Sequence, residues 1–293
     1  MPNPVLRRFN ETVDRSQVAG PPPSAPTAND LQRIYQQPTY TGPAPDNAVG
    51  GYPPAPPGAG GYAGFGVAPT APSRYLTLDD VVIRTGAMLG TILLFGAFTW
   101  VLTDTANVGL PVIVGMFGGL GLGLYISFSG KANAVTTLLY AALQGVALGG
   151  ISKLFEQRWP GIVVQAVLGT VMVAGGVLVV YKTGVIRVTP RLTRMVFAAT
   201  LGALGLMLVN GLASLVVDGG LGLRNGGGIA ILFSLVCIAV ASFNLIVDFD
   251  GIEQAIRRGA DEKYAWYASF GIIVTLVWLY LEILRLLSYL QRD

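Results

Sequence analysis

Seven apolar runs of about 18 to 23 residues constrain this chain more than any other feature. A helix of about 20 apolar residues crosses a hydrocarbon core of about 30 Å, so each run is long enough to span a membrane. The predicted spans are residues 85–103, 108–128, 134–154, 161–181, 195–217, 229–247 and 267–287. With 52% apolar and only 12% charged residues, the composition is that of an all-α polytopic membrane protein with seven transmembrane helices.

The first 73 residues differ in composition from the rest of the chain. They contain fifteen of the eighteen prolines, with glycine-rich stretches such as GGYPPAPPGAGGYAGFG, and lack an apolar run that could form a core. This composition predicts a disordered Pro/Gly-rich tail over 1–73 and a transmembrane domain over 74–293. The segment LTLDDVVIRTGAML then indicates a helix start, with Thr77 as N-cap and Asp79 and Asp80 in the first turn.

The basic residues are distributed unequally between the two sides of the predicted membrane. When the juxtamembrane start and the loops are counted without the tail, one side carries ten: Arg74, Arg84, Lys131, Lys182, Arg187, Arg191, Arg194, Arg257, Arg258 and Lys263. The other carries five: Lys153, Arg158, Arg224, Arg285 and Arg292. By the positive-inside rule, the N-terminus and its tail are predicted to be cytoplasmic. The excess of arginine over lysine, fifteen to four, suggests a bacterial gene and hence a plasma (inner) membrane location.

Small and polar residues form one face of the sixth predicted span and one face of the seventh. At helical spacings of three and four, the sixth carries Ser234, Cys237, Ala241, Asn244 and Asp248, and the seventh carries Gly271, Thr275, Trp278 and Glu282. Polar faces in membrane helices point towards protein or water rather than lipid. We therefore expect these two helices to face each other, with Asp248 as the functional centre.

An acid at the end of a span has two interpretations. It is commonly a solvated interfacial residue, but Asp248 continues a polar face, and a helix C-terminus after Val247 would disfavour its negative charge. The sequence therefore predicts that a cation, a proton or a basic side chain compensates Asp248. Glu282 should lie roughly 24 Å along its helix from Trp266, too far to reach Asp248, and is expected to pair with Arg285.

The remaining composition limits the classes of function. The chain has no histidine and one cysteine, so it lacks the commonest general base and metal ligand, and no cofactor or metal site is predicted. A net charge of +3 does not indicate nucleic-acid binding, and no pattern indicates an enzyme. Glycines at spacings of four, Gly115, Gly119 and Gly123 in the second span and Gly145 and Gly149 in the third, predict close helix approach.

Three stretches resemble the Bax inhibitor-1/YccA-like family. They are LIVDFDGIEQAI, the terminal WYASFGIIVTLVWLYLEILRLL, and KANAVTTLLYAALQGVALGGIS. The resemblance extends over residues 78–291 and leaves out the Pro/Gly tail. It implies a seven-helix bundle with a central helix wrapped by the others, and a pH-sensitive cation leak, best attested for calcium.

The resemblance also implies a gate. In the calcium-leak members, aspartates on the sixth and seventh helices share a proton or close against a basic latch. Asp248 matches the first aspartate, Thr275 stands where the second is expected, and Lys131 is the candidate latch, with Arg84 as another nearby basic residue. Asn244 shares the Asp248 face. The alternative is a non-conducting regulator of a membrane partner, such as a quality-control protease in stress response, recruited through the tail.

Overall fold

The computed structural model describes residues 74–104, 106–216 and 220–291, and seven α-helices lie in this part of the chain. They are α1 (Leu78–Leu102), α2 (Gly109–Ser129), α3 (Ala134–Arg158), α4 (Ile162–Lys182), α5 (Pro190–Ala213), α6 (Gly228–Arg257) and α7 (Tyr264–Leu290). All seven are long and apolar enough to cross a membrane, which confirms the predicted all-α polytopic fold. The predicted disordered tail and its boundary lie outside the described residues.

The first helix begins where its capping signal predicts. Thr77 has an extended backbone, and its hydroxyl accepts a hydrogen bond from the Asp80 amide at 3.3 Å. The Asp80 carboxylate in return accepts from the Thr77 amide at 3.0 Å, completing a capping box. Helix α1 therefore starts at Leu78, ahead of its apolar run.

Helix α7 is the central element of the bundle. It packs against α1, α3, α4 and α6, whereas α2 packs mainly on α3 and α5 on α6. Its buried face includes Ile273 and Leu279, both fully inaccessible, as well as the side chain of Glu282. Antiparallel connections place the start of α1 beside the α6–α7 loop, where the Leu76 amide donates to the Ala260 carbonyl at 2.8 Å. We call this the α6–α7 loop end of the bundle.

The glycine faces bring helices together, as predicted. A Cβ at Gly115 would lie 2.6 Å from the Leu143 carbonyl oxygen of α3, and one at Gly119 would lie 2.9 Å from Gln144 Nε2. On the other side of α3, a Cβ at Gly145 would lie 2.6 Å from the Ile92 carbonyl oxygen of α1. A side chain at Gly115 or Gly145 would meet the backbone of the neighbouring helix and force the helices apart, so the stripes serve packing.

Two predicted helix boundaries, the end of the sixth and the start of the fifth, are wrong by about a turn or more of helix. The sixth helix does not end at Val247 but continues to Arg257, because helical hydrogen bonding continues beyond the apolar run. The fifth begins at Pro190 rather than residue 195, because Thr189 caps it through the Leu192 amide at 3.2 Å and proline is favoured in the first turn. Apolar length alone therefore underestimates helices whose ends are polar.

Candidate functional site

The carboxylate of Asp248 lies at the seam between α6 and α7. The Thr275 hydroxyl donates to Asp248 Oδ2 at 2.8 Å, and the same hydroxyl lies 3.2 Å from the Gly271 carbonyl oxygen. A Cβ at Gly271 would lie 3.8 Å from Asp248 Oδ1, an ordinary van der Waals distance, so the carboxylate packs close to the α7 backbone. The structure thus brings Asp248 and Thr275 together and confirms that the polar parts of α6 and α7 face each other.

The position of Asp248 along its helix differs from the prediction. Helix α6 continues to Arg257, more than two further turns, so Asp248 lies within the helix rather than at its C-terminus. The helix dipole therefore does not oppose the charge of Asp248, contrary to the prediction, because that effect is confined to the last turn. The half-buried position of Asp248 between two helices remains the feature that distinguishes it from a solvated acid.

The two basic residues considered as latches do not pair with Asp248. Arg84 instead forms an ion pair with Glu262 at 2.5 Å, and its guanidinium lies 5.2 Å from the centre of the Trp266 ring. Lys131 is exposed in the α2–α3 loop. Among the described residues, no lysine or arginine nitrogen lies within 4.0 Å of the Asp248 carboxylate.

The acids after Asp248 are organised locally. Asp250 accepts from Gln254 Nε2 at 2.5 Å, and Glu253 forms an ion pair with Arg257 at 3.0 Å, both on the last turns of α6. Both acids therefore lie on α6 and not in the α6–α7 loop, because the helix extends through them. Glu262 does lie in the α6–α7 loop, and its partner Arg84 belongs to α1.

Asn244 lies on α6 one turn before Asp248 but bonds in another direction. Its Nδ2 donates to Thr200 Oγ1 of α5 at 2.7 Å and to the Val240 carbonyl at 3.0 Å. Asn244 therefore ties α5 to α6 and makes no hydrogen bond to Asp248 or Thr275. The shared helical face predicted from spacing is divided between two neighbouring helices.

The seam continues away from Asp248 with buried polar atoms. Ser234 and Cys237 on α6 are 1% and 0% exposed. Ser234 Oγ and Trp278 Nε1 have no hydrogen-bond partner among the described residues. The predicted polar face is therefore directed into the protein along most of its length, although among the described residues only Asp248 and Thr275 join across it by a hydrogen bond.

A second carboxylate lies further along the seam, at the end of the bundle opposite the α6–α7 loop. Glu282 is 2% exposed, and its Oε1 lies 2.7 Å from Arg285 Nη1, which confirms the predicted pair. Arg224 from the α5–α6 loop approaches the same oxygen at 3.9 Å. Glu282 Oε2 has no hydrogen-bond partner among the described residues.

Sequence reasoning missed the role of Arg224 because a glycine-rich loop carries no periodic signal that relates it to α7. Burial is the main cause that lowers the pKa of Arg224, with Arg285 acting in the same direction and Glu282 opposing both. Two arginines, Arg224 and Arg285, therefore lie around the one buried carboxylate of Glu282. This cluster is therefore electrostatically compensated, unlike Asp248.

The described residues contain no group of three or more Cys, Asp or Glu side chains placed to hold a metal ion together. A cation at Asp248 would be held by a single carboxylate with hydroxyl or carbonyl oxygens nearby. Such a sparse oxygen set suits a transient ion better than a resident one, because tightly bound calcium takes six to eight oxygen ligands.

Comparison with protein families gives a match to the Bax inhibitor 1 like family over residues 3–292. This match is longer than the resemblance seen in the sequence, because it extends into the Pro/Gly-rich segment that the resemblance left out. Comparison with curated proteins gave no match. The family match covers essentially the whole chain, and the protein belongs to the Bax inhibitor 1 like family.

Proposed function

We propose that this protein is a cation leak pathway, with calcium among the permeant ions, controlled by the protonation of Asp248 at the α6–α7 seam. Family membership supports the general role, and the hydrogen bond between Asp248 and Thr275 is the observation that carries the specific one. The proposed setting is a bacterial plasma membrane with the N-terminus in the cytoplasm, as the excess of basic residues on that side favours. The proposal assigns no catalytic role to the protein.

The Thr275 hydroxyl can satisfy Asp248 in either charge state. When Asp248 is ionised, Thr275 donates to Oδ2 across 2.8 Å. When Asp248 is protonated, its carboxyl donates to Thr275 Oγ1, and the threonine proton turns to the Gly271 carbonyl oxygen, 3.2 Å away. Protonation therefore changes the charge of the seam without leaving a buried polar group unpaired, which would be costly.

The absence of a basic neighbour determines the direction of the response. Among the described residues, no lysine or arginine nitrogen lies within 4.0 Å of the Asp248 carboxylate. When Asp248 is ionised, its negative charge is therefore uncompensated and attracts a cation into the seam. Protonation removes this charge and the attraction. Flux is therefore expected to fall as the pH falls, whereas a basic latch paired with ionised Asp248 predicts the opposite sign.

The test is flux of calcium and of monovalent cations into liposomes that hold the purified chain, measured from about pH 8 down to about pH 3, a range that extends below the ordinary aspartate pKa of about 3.9. The Asp248→Asn variant keeps an acceptor for Thr275 but carries no charge. We expect it to lower the flux at high pH by at least about tenfold, the lower end of electrostatic focusing, and to abolish the pH dependence.

Asp250→Asn is the matched control. Asp250 lies on the same helix two residues on, but its partner is Gln254 rather than α7. It should leave both the flux and the pH response unchanged. A wild-type pH response in Asp248→Asn would overturn control at this residue, and no flux of any cation by the wild type would overturn the leak and leave the non-conducting regulator.

A further inference from the structure

A large apolar groove lies between α1 and α4, outside the Asp248 site. Its volume is about 920 Å³, and its floor is formed by α3 and α7, with Leu245 and Phe249 contributed by α6. Both α1 and α4 pack against α7 but hardly against each other. The two helices therefore form opposite walls of a groove that reaches the central helix.

The groove offers almost nothing to a polar ligand. Its polar side chains are already hydrogen-bonded within the protein: Ser152 to Tyr280 at 2.6 Å, and Thr170 to the Ala166 carbonyl at 2.7 Å. Glu156 accepts from the Gly161 amide at 2.5 Å and the Val163 amide at 3.1 Å. The rest of the surface is mainly aliphatic, so the part of an occupant that lies inside the groove must be apolar.

The length and depth of the groove agree with a hydrocarbon chain. Its α4 wall runs from Val163 to Leu178, roughly 22 Å at the rise of a helix, and both walls are membrane-spanning helices. This length exceeds half of a hydrocarbon core of about 30 Å. An empty groove of this size would forfeit dispersion contacts along both walls, and an apolar groove does not retain water.

The Lys153 ammonium lies just outside one end of the groove, near Trp100, and Glu156 on the same helix is part of the lining. Trp100 lines the groove near the end of α1, and the Lys153 ammonium donates to the Trp100 carbonyl oxygen at 2.8 Å and to that of Thr103. Among the described residues, no carboxylate oxygen lies within 4.0 Å of Lys153 Nζ. Two of its three donors are used, so one remains for an anionic group.

We propose that the groove binds a membrane phospholipid, with an acyl chain between α1 and α4 and the phosphate at Lys153. The lipid enters sideways from the bilayer, since the groove opens between two spans. The bound acyl chain lies over Ile272 and Leu276, which belong to the same helix as Thr275. This assignment does not depend on conduction by the protein.

The test uses a phosphatidylglycerol whose acyl chain carries a diazirine, incorporated into nanodiscs with the full chain. After photolysis, labelled residues are located by mass spectrometry. Labelling is expected on the groove floor, residues 272–280, and it should be reduced several-fold by excess unlabelled phosphatidylglycerol. Absence of floor labelling in the wild type, or floor labelling that excess lipid does not reduce, would overturn the proposal.

Two adjacent glycines of α4 provide a matched pair of variants. Gly175 lines the groove and Gly176 lines a different, smaller cavity, and neither has an atom within 4 Å of a built Cβ. Gly175→Trp should fill the groove and reduce floor labelling several-fold, whereas Gly176→Trp should label like the wild type. Equal labelling of the two variants would contradict the groove as the site of binding.

The head-group assignment is tested with a diacylglycerol that carries the same reactive chain but no phosphate. Lys153→Gln should reduce floor labelling by phosphatidylglycerol and leave labelling by diacylglycerol unchanged. If floor labelling by phosphatidylglycerol relative to labelling by diacylglycerol is the same in Lys153→Gln as in the wild type, the proposed contact between Lys153 and the phosphate is wrong.

Discussion

Asp248 and Glu282 are two carboxylates on one helix seam, and the protein surrounds them differently. Asp248 is half-buried and receives one hydrogen bond from a neutral hydroxyl, that of Thr275. Glu282 is 2% exposed and has Arg285 at 2.7 Å and Arg224 at 3.9 Å. A buried charge without a partner is costly, so the difference separates an acid stabilised by fixed cations from one that is free to exchange a proton or meet a mobile cation.

The comparison teaches that burial alone does not identify a functional acid. Glu282 is the more buried of the two, yet its partners lie within the protein and its role is explained by holding the α5–α6 loop on α7 through Arg224. Asp248 is less buried but lacks a described basic partner. Asp248 is the candidate for exchanging a proton or a cation with the surroundings because no described basic side chain compensates its charge, and not because of how deeply it is buried.

The largest expected effect comes from neutralising each acid in turn. Glu282→Gln leaves two arginines without their carboxylate and should lower the free energy of unfolding by about 3 kcal/mol, the lower end for a broken buried pair, because Arg285 and Arg224 retain 21% and 33% exposure. Asp248→Asn should change it by less than about 1 kcal/mol, since the amide oxygen still accepts from Thr275. Unfolding in mixed detergent micelles measures both, and equal losses would remove the distinction.

A smaller effect is expected at Thr275. Thr275→Val removes the hydroxyl that Asp248 uses and should lower the free energy of unfolding by about 1 kcal/mol. Thr275→Ser keeps the hydroxyl and should restore most of the lost free energy of unfolding. If the threonine served only to pack its methyl group, Thr275→Val would be the more stable of the two variants. The same unfolding measurement decides between them.

Arg224 should contribute less than Arg285 to the stability of the Glu282 cluster. At 3.9 Å and with a third of its side chain exposed, its replacement in Arg224→Gln should cost less than about 1 kcal/mol. The effect should be local, with faster amide hydrogen exchange in loop residues 220–227 and unchanged exchange in α6. Faster exchange throughout α6 would show that Arg224 supports the seam rather than the loop.

The smallest effect is expected for an exposed pair. Arg257 and Glu253, with side chains 59% and 48% exposed, lie one turn apart on α6. Arg257→Gln should change the free energy of unfolding by less than about 0.5 kcal/mol, as is usual for pairs of this kind on a helix. A loss as large as that of Glu282→Gln would contradict the view that burial sets the energy of these pairs.

Much of the fold could be predicted from local patterns. The seven spans follow from the length of apolar runs, the start of α1 from the Thr77 and Asp80 capping box, and the approach of α2 to α3 from glycines such as Gly115. These features depend on neighbours within a few residues or on a repeat along one helix. The boundaries that were wrong, at Pro190 and Arg257, lie in polar segments where hydropathy carries no information.

The candidate site was predicted only in part. Helical spacing correctly directed Asp248 towards Thr275, but it could not show that Asn244, on the same face, bonds to Thr200 of α5. The hypothesis of a gate also placed Arg84 near Asp248, whereas Arg84 pairs with Glu262. A helical face is wide enough to contact two neighbouring helices, and side-chain partners depend on which neighbour is present.

The sequence by itself determined that this chain crosses a membrane with seven helices, and which faces of those helices are small or polar. Both follow from the transfer of apolar residues to lipid and from the 3.6-residue period of the α-helix. Only the tertiary structure decided that α7 is central, that Arg224 joins Glu282, and that Asp248 lies without a described basic partner. These relations join residues far apart in the chain, and their distances depend on how the helices pack, which no local pattern encodes.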